Sequence, residues 1–134
     1  MFNGTTILER INSSEYKFIG NLSYENDKYI VTIKKGLMTD GASIPRLFWS
    51  IIGCPLSGKY VGSALIHDGL YGSHALNKEE SDKLFLEMMQ HNNVGYIKRN
   101  LMYLAVKYGG KHAYYDKTDD YIKKTSKYVV ITEK

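Results

Sequence analysis

A single cysteine, Cys54, in a chain of 134 residues excludes an internal disulfide and any zinc site built on cysteine pairs. That scarcity suits a reducing compartment. The opening Met1-Phe2-Asn3-Gly4-Thr5 shows no basic region followed by an apolar core, so a secretory leader is not expected. The longest apolar runs, such as Leu47 to Ile52, are far too short to span a bilayer, and no transmembrane segment is expected. A dense run of one charge is missing as well. Eighteen Lys and Arg against fourteen Asp and Glu leave a net charge of +4, and the lysines are scattered among acids apart from pairs such as Lys34-Lys35 and Lys123-Lys124. Nucleic acid is therefore not an expected partner. Weak attraction to an anionic surface is the most such a balance implies.

What the chain does have is an ordinary globular composition, 43% apolar and 24% charged, over a length that can bury a core unaided. No repeat or linker divides it, so residues 1–134 are expected to form one domain. Twelve tyrosines are many for this size. Several fall in strand-like or helical patterns, where an amphipathic ring suits a half-buried position.

The expected fold is α+β: a small antiparallel sheet, formed by N-terminal strands plus a C-terminal strand, packed with a bundle of three to four helices. Residues 1–36 read mainly as strands. Thr5 to Ile11, Tyr16 to Ile19 and Tyr29 to Ile33 are short β-branched and aromatic runs, separated by Asn12-Ser13-Ser14 and Glu25-Asn26-Asp27. Residues 43–110 read as helical. Ser43 and Pro45 suit the start of a short helix over Arg46 to Ile52. A second helix is expected over Lys59 to Tyr71, where the small Gly62, Ser63 and Ala64 would admit a close neighbour. Asn77 caps a third, with Glu79 and Glu80 in its first turn and Ser81, Leu84, Phe85 and Met88 as its apolar face. A fourth, Tyr96 to Tyr108, is expected to bury Ile97, Leu101, Leu104, Ala105 and Tyr108, and Gly109-Gly110 stops it. The chain then reads as polar until residues 127–132, a strand at the edge of the N-terminal sheet.

His67-Asp68 is the main chemical candidate. Both ionisable residues lie inside an otherwise apolar helix, where an unpartnered polar group is costly. Asp82, on the next helix after a short connection, is the natural partner of His67. A histidine held by a carboxylate is a general-base arrangement, since the acid fixes the tautomer and stabilises the imidazolium. Asp68 points about 100° further round the helix and could hold a metal ion or a backbone donor. The plainer alternative is a buried His-Asp network that only joins two helices.

Other motifs carry less. A His-Asp metal phosphohydrolase needs a histidine upstream of the pair, and His67 is the first in the chain. His74, His91 and His112 read as surface histidines. Gly53 to Lys59 has the glycine spacing and lysine of a phosphate-binding loop, but Tyr60 replaces the magnesium-binding hydroxyl and the parallel α/β context is missing. Thr39-Asp40-Gly41-Ala42-Ser43-Ile44-Pro45 reads as a tight turn feeding a capped helix. A functional alternative makes Asp40 a ligand or Ser43 a nucleophile.

That last segment, with Phe48-Trp49, Ile66-His67-Asp68-x-Leu70-Tyr71 and Ser81-Asp82-x-x-Phe85 with Met88, resembles the phage and prophage family of unknown function numbered thirteen fifty-three, over roughly residues 30 to 110. The resemblance implies a tailed-phage or prophage origin and no settled activity. It would place the protein in the host bacterial cytoplasm or the virion. Locally, His67-Asp68-x-x-Tyr71 followed by Asp82-x-x-Phe85 is similar to the active-site helix pair of secreted and bacterial phospholipases A-two. That likeness implies His67 as the base that activates water, Asp82 as its holder, Tyr71 as support and Asp68 as a calcium ligand with carbonyls of the Gly53 to Gly58 loop. The phospholipase disulfides and glycine-rich calcium loop have no counterpart here. Calcium wants several oxygen ligands, so an ion-free Asp68, bonded to tyrosines or to the Asp40 turn, is the preferred expectation. Two function classes follow. One is a small hydrolase acting on an ester or lipid. The other is a non-catalytic phage protein, either a virion component or a binder of a host defence factor or its signalling molecule.

Overall fold

The computed structural model describes residues 1–13, 15–39 and 60–134. Asp40, Ser43, the short helix expected over Arg46 to Ile52, Cys54 and the Gly53 to Lys59 loop lie outside the described residues. Within them the chain runs through six strands, β1 (Phe2–Gly4), β2 (Leu8–Arg10), β3 (Tyr16–Phe18), β4 (Leu22–Glu25), β5 (Tyr29–Ile33) and β6 (Met38–Thr39). Five helices follow, α1 (Val61–Ser73), α2 (Lys78–His91), α3 (Tyr96–Gly109), α4 (Lys111–Tyr115) and α5 (Asp119–Ser126), and then β7 (Val129–Glu133). The fold is α+β with antiparallel sheets.

The expected single sheet is two. One holds four strands in the order β1-β4-β5-β7, the other three in the order β2-β3-β6. β4 and β5 form the central hairpin, pairing Leu22 with Ile33 and Glu25 with Ile30. Its turn is written locally: the Asn26 side-chain oxygen accepts the backbone N–H groups of Lys28 and Tyr29, both at 2.8 Å. β7 joins β5 antiparallel, Ile33 opposite Val129 and Tyr29 opposite Glu133, and takes the sheet edge that its sequence suggests.

α1 is the hub. Among its thirteen residues only Val61 and Asp68 are not buried. Leu65, Ile66 and Leu70 meet Phe18, Leu22, Val31, Ile33 and Leu37 from the strands, with Leu84 and Met88 from α2, in one core. Glycines let this crowding happen. A methyl group at Gly69 would lie 3.0 Å from Ile33 and 3.2 Å from Val129, and one at Gly72 2.9 Å from Thr125. The sheet and α5 thus close on α1 where it lacks side chains.

The caps of α2 are those the sequence specifies, with the Asn77 side chain accepting the Glu80 N–H at 2.8 Å. α3 is the main correction. Ala105 is buried as expected, but the partners buried beside it are Met102 and Val106, which pack with Phe85, Met89 and Val94. Ile97, Leu101, Leu104 and Tyr108 face outward, 73%, 37%, 46% and 70% exposed. Two apolar stripes wrap this helix, and among the described residues only one packs into a core. The stretch read only as polar holds α4 and α5. Thr118 caps α5 by accepting the Tyr121 N–H at 3.1 Å, with Asp119 and Asp120 in the first turn and Lys123 and Lys124 in the last.

Candidate functional site: a buried histidine–aspartate–tyrosine–lysine network

α1 and α2 run antiparallel. Ser63 at the start of α1 bonds Asn92 just past the end of α2, while Tyr71 near the end of α1 bonds Asp82 near the start of α2. Between these ends the antiparallel pairing sets His67 opposite Asp82. His67 is fully buried and Asp82 is 2% exposed.

Asp82 is the centre. Its Oδ1 accepts from His67 Nε2 at 2.8 Å and from the Tyr71 hydroxyl at 2.5 Å. Its Oδ2 accepts from Lys78 Nζ at 2.8 Å, one turn back on the same helix. The ammonium also donates to the backbone carbonyls of Val106 at 2.8 Å and Lys107 at 3.2 Å. Lys78 therefore joins the Gly110 N–H on the Val106 carbonyl in the last turn of α3 and ties three helices together. Around the imidazole, Phe85 stacks at 4.4 Å and 27°, and the Tyr71 ring lies at 4.2 Å.

Burial by itself would push the Asp82 carboxyl up. The hydrogen bond and charge of His67, followed by Lys78 and Tyr71, overcome it and hold the group below its ordinary 3.8. Burial, then the bond to Asp82, pushes the Tyr71 phenol well above its ordinary 10. An ionised carboxylate only accepts, so His67 Nε2 carries the proton of this bond.

The pH dependence follows from the sign of the Asp82 shift. A carboxyl whose folded value is depressed stabilises the fold above its unfolded value, and that contribution vanishes as pH falls through the folded value. Urea unfolding should therefore show a gap between wild type and Asp82→Asn that is full at pH 6 and shrinks below about pH 3.8. A gap that stays constant down to pH 2.5 would contradict an ionised Asp82.

Three of the sequence-predicted residues, His67, Asp82 and Tyr71, are thus brought into one cluster. Asp68 is half-buried one position further on. Among the described residues no group of three or more His, Cys, Asp or Glu side chains could hold a metal ion. Lys78 escapes the sequence reading. Its signal is the four-residue spacing to Asp82.

Of the remaining histidines, His74 is half-buried and not a surface residue as expected. His74 Nε2 donates to the Tyr114 carbonyl at 2.8 Å and stacks on that ring at 4.1 Å, which fixes α4 against the α1–α2 connection. The His91 ring lies 2.6 Å from the Tyr24 hydroxyl, which donates to Glu87 at 2.8 Å. His91 and His112 are both exposed, as expected of surface histidines, and His112 is bonded to Asp116. Tyr24's partners border an open cleft of about 600 Å³ between the β4–β5 turn and α2, lined by Glu25, Asn26, Tyr29, Glu80, Glu87 and His91 among others, and by none of the His67 network.

These features define an α+β protein whose helices are locked by one buried His-Asp-Tyr-Lys network. The chain belongs to the family described as "Protein of unknown function (DUF1353)", which matches residues 16–106. It is similar to the uncharacterized protein y4jT of Sinorhizobium fredii, 38% identical over 74 residues, 55% of this chain and 22% of that one. It is also similar to the uncharacterized protein y4iH of the same organism, 33% identical over 72 residues, 54% of this chain and 30% of the relative. The matched segment thus spans less than a third of either relative. No solved structure matches the chain. Among the described residues no helix is long and apolar enough to cross a membrane.

Proposed function

We propose that this is a phage- or prophage-encoded hydrolase in which His67 is the general base for attack of water on an ester, a lipid among the candidates. The supporting observation is the fully buried His67 donating Nε2–H to an ionised Asp82. With Nε2–H committed to Asp82, Nδ1 is the nitrogen that would take a proton from water as its oxygen attacks the carbonyl carbon. Asp82 would stabilise the imidazolium so formed, while Tyr71 and Lys78 hold the carboxylate still. Asp68 would be the residue to contact calcium if the reaction uses that ion.

A second reading has its own support. His67, Tyr71 and Lys78 all donate to Asp82, and Lys78 also donates to the Val106 carbonyl of α3, so the network joins three helices. A clamp of this kind suits a non-catalytic protein, a virion component or a binder of a host defence factor or its signalling molecule.

One experiment separates them. Wild type and His67→Gln are assayed against carboxylic and phospholipid esters, with and without millimolar calcium, alongside circular dichroism. General-base catalysis predicts a folded variant that has lost about 10²–10⁴-fold in rate. An equally active, folded His67→Gln would remove the catalytic reading, as would a wild type inert toward every ester.

A further inference from the structure

The apolar stripe on the outer side of α3 has no apolar counterpart among the described residues. Ile97, Leu101, Leu104 and Tyr108 fall at helical spacings of four, three and four, and so share one line along the helix. All four are exposed, Ile97 and Tyr108 at 73% and 70%, and Tyr96 at 72% stands at the start of the same helix. Scattered exposed apolar residues need no explanation, but an aligned row of large ones does.

Charge narrows what covers it. No Asp or Glu occurs between Glu87 and Asp116, whereas Lys98, Arg99, Lys107 and Lys111 all fall in that interval. Lys98 and Lys107 are exposed and lie on opposite flanks of the stripe, about 100° to one side of Ile97 and about 80° to the other. Aromatic rings accompany the cations. Arg99 lies 5.3 Å over Tyr96, and Lys107 lies 5.3 Å over Tyr108 and 5.8 Å over Tyr103. A second copy of the chain fits poorly, because a two-fold contact through this face would set these cations against themselves with no acid to answer them. Nucleic acid answers the charge and leaves the Ile and Leu side chains uncovered.

We propose that the outer face of α3 docks the protein flat on an anionic lipid surface. Ile97, Leu101 and Leu104 would enter the boundary between headgroups and acyl chains. Tyr96 and Tyr108 would sit at headgroup level, with Lys98 and Lys107 on the lipid phosphates. The far end of this helix is fixed to the domain through Lys78 and the Val106 and Lys107 carbonyls, so the face is presented on a rigid support. The inference stands on α3 alone and does not depend on His67 being catalytic.

Flotation with phosphatidylcholine vesicles, pure and with phosphatidylglycerol added, tests it without any turnover. Wild type should float with the anionic vesicles and not with the pure ones, and added salt should weaken it. Ile97→Asp with Leu104→Asp should abolish binding, and Lys98→Glu with Lys107→Glu should lower the partition at least tenfold. All four positions are exposed, and unchanged circular dichroism and melting temperature confirm the fold of each variant. Three results would overturn the proposal: no binding to anionic vesicles at millimolar lipid, stripe variants that bind like wild type, or sedimentation showing a dimer that the stripe variants dissolve. Binding to polyglutamate in place of vesicles would assign the face to an acidic polypeptide and overturn it equally.

Discussion

Asp82→Ala should destabilise the protein by about 3–5 kcal/mol, the largest loss expected from any single polar substitution among the described residues. The substitution removes one small side chain and strands three donors. His67 and Tyr71 lose the acceptor they share, and the Lys78 ammonium keeps its charge with only two backbone carbonyls. Each stranded group is almost wholly enclosed, Lys78 at 8% exposure being the most open. For a domain of this size each kcal/mol is roughly 3–5 °C in melting temperature, so a fall of roughly 10–20 °C is expected by circular dichroism. The coupling is as informative as the loss. Lys78→Met in the same chain removes the stranded charge, so the double variant should lie above the sum of the singles by about 0.5–3 kcal/mol. A strictly additive pair, or an Asp82→Ala loss below about 1 kcal/mol, would mean that the carboxylate is solvated and the network does not bear on the fold.

Phe85→Ala should cost a similar amount, about 3–5 kcal/mol, for a different reason. The ring is fully buried and belongs to the core shared by α1, α2 and α3, with Ala64, Met89, Met102 and Val106 around it. Its removal leaves a cavity that these helices cannot close without moving Asp82 off His67. The same ring is the face on which the His67 imidazole stacks. Phe85→Leu restores most of the volume and should cost less than about 1.5 kcal/mol. It does not restore the flat support for the imidazole. If His67 is a base, Phe85→Leu should therefore fold nearly normally and turn over ester more slowly, a split that urea midpoints and initial rates read separately. A Phe85→Ala variant as stable as Phe85→Leu would mean that the site collapses around small side chains and that packing does not hold His67 in place.

His67 and Asp82 were legible as a pair in the sequence because two simple constraints act together, while Tyr71 entered only through the phospholipase resemblance. Ionisable residues inside an apolar helix must find partners, and a short connection between helices makes the next helix the place to find one. Lys78 was not legible as their fourth member. A lysine in the first turn of a helix ordinarily faces water, and only the arrival of the α3 carbonyls gives this one enough acceptors to be enclosed.

Local chemistry likewise determined the elements whose signals are local. The Asn77 cap of α2, the β5 run and the alternation of β7 are complete within a few residues, and each forms where the sequence places it. α5 carries the same kind of signal, with Thr118, two acids at its start and two lysines at its end, but so little apolar surface that its pattern reads only as polar. It is helical because Thr125 closes over the bare backbone at Gly72 of α1. Which stripe of α3 turns inward was beyond the sequence. Ile97, Leu101, Leu104 and Tyr108 are as apolar and as well spaced as the stripe that is buried, and periodicity cannot rank two faces of equal strength. The choice was made by position: the packing of α2 against α1 sets Phe85 and Met89 where Met102 and Val106 can reach them, and the other stripe is left facing out.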